Sequence, residues 1–281
     1  MKRNARIPHH DPSPPAPGRP VLDAHRILYL ASEAGKILLQ NGAEIHRVEA
    51  TINRVAAAYG LEETESFVTP TGIMVSTVDT RGDTITRIRN IESRTVNLGK
   101  IAGVNELVGS IADRAHRPLS PDLLESGLMS IGDARPVNRA LRLAAAATAA
   151  ASFTLMFGGG PWEVAAGAVS GLFARLASEF LSGLGVNDFF MNMCGSALVT
   201  LLCTMLALPG LLARPDLSII GALMLFVPGL AITNAIRDTL AGDLLSGVAR
   251  GTEAVFVAIA VASGSGIALE IGALARRALL S

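Results

Sequence analysis

The spacing of apolar positions changes twice along this chain, and each change marks a different kind of structure. Over residues 43–59, Ile45, Val48, Ile52, Val55 and Tyr59 recur at intervals of three and four, which places them in one stripe of a helix. Gly60 ends that helix, and Gly42 separates it from an earlier one that Asp23 caps and that runs to about Asn41. From Glu65 the period shortens to two. Residues 66–69, 73–78 and 84–89 read as a small antiparallel sheet, with Pro70 and Gly72 breaking the first strand from the second and the polar run 79–83 turning into the third. A longer helix over about 95–116 follows, then a shorter one opened by Ser120-Pro121. Beyond about residue 137 the signal is length rather than period. Runs 143–162, which ends at the Gly158-Gly-Gly-Pro161 turn, 189–213 and 217–236 carry no charge, and 251–269 carries only Glu253 near its start.

A helix needs about 20 mostly apolar residues to cross roughly 30 Å of hydrocarbon, so these runs predict membrane spans. The segment 164–186 makes a fifth, although it holds Arg175 and Glu179, four residues apart and able to pair on one helical face. The expected fold class is an α-helical polytopic membrane protein with an N-terminal cytoplasmic α+β domain. Its parts are a disordered proline-rich tail at 1–20, the α+β domain at 21–136, and a transmembrane domain at 137–281 with spans at about 140–158, 164–186, 189–212, 217–236 and 251–272. The tail has proline at 8, 12, 14, 15, 17 and 20 and no apolar core, unlike an export signal. Arg135, Arg139 and Arg142 before the first span place the N-terminal domain in the cytoplasm. Five spans then leave Arg276 and Arg277 outside, against the same rule, whereas four would move the Arg237 loop outside.

Composition sharpens this division. Twenty-four cationic side chains balance twenty-four anionic ones, and half of the residues are apolar, which excludes a disordered chain and a nucleic-acid binder. Residues 137–281 hold eight charges of each sign, so the other sixteen of each sign fall in the first 136. Lysine occurs only at 2, 36 and 100, and the second half is rich in Ala, Leu and Gly, which reads as bacterial compositional bias. Cys194 and Cys203 lie in one apolar run and offer neither a disulfide framework nor a cysteine metal cluster.

Candidate chemistry falls in two places. In the apolar half, Pro228, Gly229, Asn234, Arg237, Asp238, Asp243, Arg250 and Glu253 form a polar constellation that is costly near a span unless it lines a water-filled path or pairs internally. Pro228 and Gly229 fall within a span and break it, as in secondary transporters whose half-helix ends meet ions. Asn234 precedes Arg237 and Asp238 by three and four residues, so they share a face. Arg237 suits a carboxylate, and Asp238 or Asp243 an amine or a proton. A cytoplasmic loop whose arginines merely obey the positive-inside rule is the plainer alternative. In the polar half, the second helix carries Glu44 and Arg47 on one side and His46 and Glu49 on the other, and Thr69-Pro70-Thr71-Gly72 is either a ligand loop or a structural turn. The helix lacks the paired histidines of a metalloprotease, and neither a nucleophile setting nor a phosphate loop is present. No enzyme, metal or cofactor is therefore expected. The alternatives kept open are a membrane-tethered hydrolase or a metabolite sensor acting through residues 21–136.

Several motifs in order carry a family resemblance: Asn41-Gly-Ala-Glu-Ile-His-Arg-Val-Glu49, Val68-Thr-Pro-Thr-Gly-Ile73, the Thr86-Arg-Ile88 strand, Val104-Asn105, and Pro228-Gly-Leu-Ala-Ile-Thr-Asn-Ala-Ile-Arg-Asp238 with Ala241-Gly-Asp243, Ser246-Gly247 and Arg250. Over roughly residues 22–272 the chain resembles the N-terminal half of the threonine/serine exporter family. The resemblance implies a cytoplasmic domain, five spans, and gradient-driven export of small polar metabolites across the bacterial inner membrane. Full-length members have a second block of about five spans, so this chain is similar to the larger subunit of the split form, whose partner is a short integral membrane protein. One such pair exports succinate, which leaves threonine/serine and a dicarboxylate as substrates. A homo-oligomer is a compatible assembly.

Overall fold

The computed structural model describes residues 23–79, 81–112, 119–208 and 210–280. The tail at 1–20, the expected helix end near His116, and Pro209 lie outside them. The chain divides into two compact units. One comprises residues up to Ala134 together with Arg237–Gly247, and the other Arg135–Ile236 with Val248–Ser281.

In the first unit, α1 (Ala24–Gln40) and α2 (Ile45–Ala58) precede β1 (Glu65–Thr69), β2 (Gly72–Val78), β3 (Thr84–Asn90), α3 (Leu98–Ala112) and α4 (Pro121–Gly132). Asp23 caps α1 by accepting from the His25 N–H at 3.0 Å. After α1 and α2 the chain turns at Gly42 and Gly60, with φ of 94° and 90°, where a side chain would be strained. Ile45, Val48, Ile52, Val55 and Tyr59 are all buried, so the stripe is the core face of α2. Gly35 lets α1 approach it, since a Cβ there would lie 2.6 Å from Ile52 Cδ1. The antiparallel sheet, in the order β1-β2-β3, adds Val68, Ile73 and Val75 to this core.

The helix expected from about residue 95 begins at Leu98 instead. Backbone bonds explain the delay: Thr95 N–H donates to Gln40 O at 2.8 Å and Asn97 N–H to Asn41 O at 3.2 Å, which holds this stretch against the α1–α2 turn. The Asn97 side chain then accepts from the Lys100 N–H at 3.1 Å and opens α3. Arg26 pairs with Asp122 and, at 2.8 Å, with Glu125, joining α1 to α4.

The second unit contains α5 (Arg139–Met156), α6 (Pro161–Gly183), α7 (Asp188–Ala207), α8 (Pro215–Leu223), and the parts of α9 (Gly229–Ala241) and α10 (Leu244–Leu280) outside 237–247. Five spans were expected, and among the described residues three helices, α6, α7 and α10, are by themselves long and apolar enough to cross a membrane. Arg139 and Arg142 lie inside α5 rather than before it. Of its 18 residues this leaves the 14 of 143–156 uncharged, or about 21 Å at ~1.5 Å per residue. The run expected at 217–236 is two helices. The nine-residue α8 ends at Leu223, and α9 starts at Gly229, directly after Pro228, which has no N–H to continue a helix.

Small residues carry the packing here. Gly167 and Gly171 of α6 face α5, where a Cβ on Gly171 would lie 2.6 Å from that of Ala150, and Gly221 of α8 abuts the Thr154 backbone. Gly264 and Gly272 of α10 meet Met193 and Thr204 of α7 in the same way. Small residues three and four apart are how helices approach closely where no hydrophobic force drives them together.

Candidate functional site

The first turn of α2 brings together residues from both candidate regions. Glu44 occupies the N-cap position by its backbone, with φ −70° and ψ 146°, yet its side chain makes no capping bond. That carboxylate accepts from Arg237 Nη1 and lies 3.3 Å from His46 Nε2 and 3.7 Å from Arg47 Nε. Asp238 supplies the missing cap, its Oδ1 accepting from the Ile45 N–H at 3.2 Å. Glu44 and Asp238 are each 193 positions from their partner. A carboxylate at a helix N-terminus is favoured twice over, since it satisfies an orphan N–H and complements the helix dipole.

Local structure explains how 237–247 presents these groups. Asp238 lies in the last turns of α9, and Gly242, at φ 98°, separates α9 from α10. The Asp243 N–H donates to Asp238 O at 2.9 Å and closes that turn. Asp238 is fully buried and Glu44 nearly so, whereas the Arg237 side chain keeps about half of its surface exposed, 54%. An incoming carboxylate can therefore reach Arg237, but only in competition with Glu44.

Glu49, one turn further along α2, accepts from the Val68 N–H at 3.1 Å and so joins α2 to β1. Burial raises its carboxyl above the ordinary range. The Val68 bond opposes that shift, the Asp243 carboxylate adds to it, and His46 opposes it. His46, Glu49 and Asp243 thus share one electrostatic neighbourhood. Among the described residues, no three His, Cys, Asp or Glu side chains converge as a metal site requires.

The other sequence-predicted residues fall elsewhere. Thr69, Pro70, Thr71 and Gly72 form the β1–β2 turn. There Thr69 pairs with Gly72, and the Thr69 hydroxyl donates to Gly72 O at 3.3 Å, so the turn has an internal structural role. Asn105 is exposed on α3. Pro228, Gly229, Asn234, Arg250 and Glu253 belong to the second unit, where Asn234 and Arg250 are buried and partnered and Glu253 is exposed.

Sequence reasoning missed two features of the second unit. Glu163, buried in the first turn of α6, accepts from the N–H groups of Ala213 and Arg214 at 3.0 and 3.1 Å and fixes the α7–α8 loop. An acid at the entrance of an apolar run was its only local signal. Arg175 does lie 3.4 Å from Glu179, as the four-residue spacing predicts, but Arg139 and Arg142 join them from α5 at 3.0 and 3.1 Å.

The family described as "Putative threonine/serine exporter" matches residues 29–272 of this chain. A Klebsiella aerogenes protein named "Probable succinate transporter subunit YjjP" is 27% identical over 247 residues, which is 86% of this chain and 92% of that one. A "Probable threonine/serine exporter" of Mycobacterium tuberculosis is 28% identical over 89% of this chain but only 47% of its own length. For the "Threonine/serine exporter" of Corynebacterium glutamicum the values are 27%, 92% and 55%, so this chain spans about half of these two longer relatives. No solved structure matches the chain.

Proposed function

From the premise that this chain belongs to the threonine/serine exporter family, we propose that it is one subunit of an inner-membrane, gradient-driven exporter of small carboxylate metabolites. Membrane export is what the family and the named relatives have in common. The finer reading is supported by one observation: the Arg237-Asp238 pair engages the first turn of α2 through Glu44 and the Ile45 N–H. Residues 237–247 join α9 to α10, so an event that breaks the Glu44–Arg237 pair acts directly on the connection between two helices of the apolar half. In this scheme a substrate carboxylate displaces Glu44 from Arg237, while Asp238 keeps α2 capped. The N-terminal domain is cytoplasmic, and a short integral membrane protein supplies the second half of the transporter. Relatives about twice this length, and a relative of similar length named a subunit, support that division.

Efflux of labelled threonine, serine and succinate tests the reading in vesicles that hold this chain with and without a short membrane protein of the kind proposed as its partner. Efflux that requires both chains is expected. No movement of any of the three in either preparation would overturn it.

A further inference from the structure

The second unit holds a cluster of charge that the Glu44–Arg237 site does not use. Glu179 of α6 faces three guanidiniums, from Arg139 at 3.0 Å, Arg142 at 3.1 Å and Arg175 at 3.4 Å. The Glu179 side chain is only 18% exposed. Three cations against one anion leave the cluster with two positive charges in surplus, and the Arg142 and Arg175 side chains stay 34% and 39% exposed, open to an incoming anion. The hydrogen bonding is incomplete as well as the charge. The Nε atoms of Arg142 and Arg175 and the Oε1 of Glu179 are buried and make no hydrogen bond, although Arg175 Nε and Arg142 Nη2 lie within ion-pair distance of that Oε1. Guanidinium donors that are ion-paired but not hydrogen-bonded can gain from a planar, bidentate oxygen ligand.

Space for such a ligand adjoins them. Arg142 and Arg175 line a cavity of about 470 Å³, together with Ser178, Asn192, Ala146 and Phe226. That volume is in the range of small-molecule sites, and a few polar groups on apolar walls is their usual make-up. The smaller polar groups are already engaged: the Ser178 hydroxyl donates to Ala174 O at 2.9 Å and the Asn192 amide to Asp188 O at 2.8 Å. The Asn192 amide keeps a second N–H, so it and the arginines are the donors left for a ligand. Among the described residues, the lining includes no acidic side chain that could receive an ammonium group. Glu179 beside it is already shared by three guanidiniums and so is poorly placed to match the cation of a zwitterionic amino acid, whereas two carboxylates would match Arg142 and Arg175 while Glu179 stays with Arg139.

We propose that this cavity is a binding site for a small dicarboxylate in its dianionic form, held by Arg142 and Arg175 with Glu179 as the internal anion that the ligand displaces. The proposal rests on the exporter reading for its biological meaning, but not for its test. An anionic lipid headgroup offers the same chemistry as a dicarboxylate, and the experiment separates the two. Calorimetry on the purified full chain, delipidated in neutral detergent, measures binding of succinate, of threonine, and of short-chain phosphatidylglycerol. Succinate is expected to bind at least about tenfold more tightly than threonine. Arg142→Gln and Arg175→Gln should each weaken succinate at least about tenfold, with an unchanged melting profile as the control for folding. Glu179→Gln should instead strengthen succinate binding about threefold or more, because the competing anion is gone. A purely structural role for the cluster predicts no such gain. Equal binding of succinate and threonine, binding of phosphatidylglycerol but not succinate, or weaker succinate binding by Glu179→Gln would each overturn the proposal. If vesicles carrying chain and partner export substrate while the arginine variants bind and export succinate normally, this site fails and the exporter reading stands. Absence of all export beside intact, arginine-dependent binding fails the exporter reading alone.

Discussion

The two units differ in the balance of what they bury. In the first, the largest fully buried side chains are Ile27, Leu28, Leu30, Leu38, Leu39, Ile45 and Ile52, a core built on branched aliphatics as in a water-solvated domain. In the second, the buried residues include Ala150, Ser170, Ser196, Thr154, Thr200 and Ala222, while Trp162, Phe180 and Leu155 are about two-thirds exposed. Small inside and large outside makes no sense in water, where such a surface would aggregate. It is what helices need when the surrounding solvent is as apolar as their own side chains and close backbone approach supplies the attraction. One chain therefore packs its two units by two rules.

The largest effect that would sharpen this contrast is expected at Gly221. A Cβ there already collides with the Thr154 backbone, so Gly221→Leu should abolish monodisperse protein in detergent extracts, as size-exclusion chromatography would show. The first unit should fail in the opposite direction, by loss of volume. Leu28→Ala should cost about 2–5 kcal/mol there, measured by denaturant or thermal unfolding followed at that unit. Smaller in energy but decisive for activity, Arg237→Ala and Asp238→Asn should reduce efflux about tenfold or more while membrane insertion, read by fractionation, is unchanged. Asparagine keeps an oxygen for the Ile45 N–H, so the Asp238 variant removes the charge and leaves the cap.

The smallest effect concerns Glu49. Its carboxyl is raised in the folded state chiefly by burial, so it stabilises the fold at low pH, where it is protonated whether folded or not. That contribution is lost as pH rises through the raised folded value. Glu49→Gln preserves an acceptor for Val68 and should flatten the decline in melting temperature above about pH 4, the ordinary glutamate range.

What could be read in the sequence depended on how local its cause was. The α2 stripe, the Asp23 cap and the turns at Gly42 and Gly60 follow from neighbours a few residues away, and the structure has them where the pattern places them. The start of α3 was missed because bonds to Gln40 and Asn41, more than fifty residues back, decide it. Arg237 and Asp238 stood out as polar groups beside an apolar run, and the α2 motif stood out on its own. Nothing in either segment names Glu44 as the partner of Arg237, or Asp238 as the cap of α2, because those are tertiary facts. In the same way, spacing showed Arg175 beside Glu179 but could not bring in Arg139 and Arg142 from another helix. Pro228 announced a break in the run 217–236, while the length of the gap between α8 and α9 was legible only in three dimensions.

The joining of the two motifs through Glu44 and Arg237 is tested most directly by a double-mutant cycle on efflux from vesicles containing both chains. Glu44→Gln and Arg237→Gln should each lower the rate about tenfold, and the double variant should lose little more than the worse single one, because both changes break the same pair. Losses that multiply in the double variant, or normal efflux in either single variant, would contradict it.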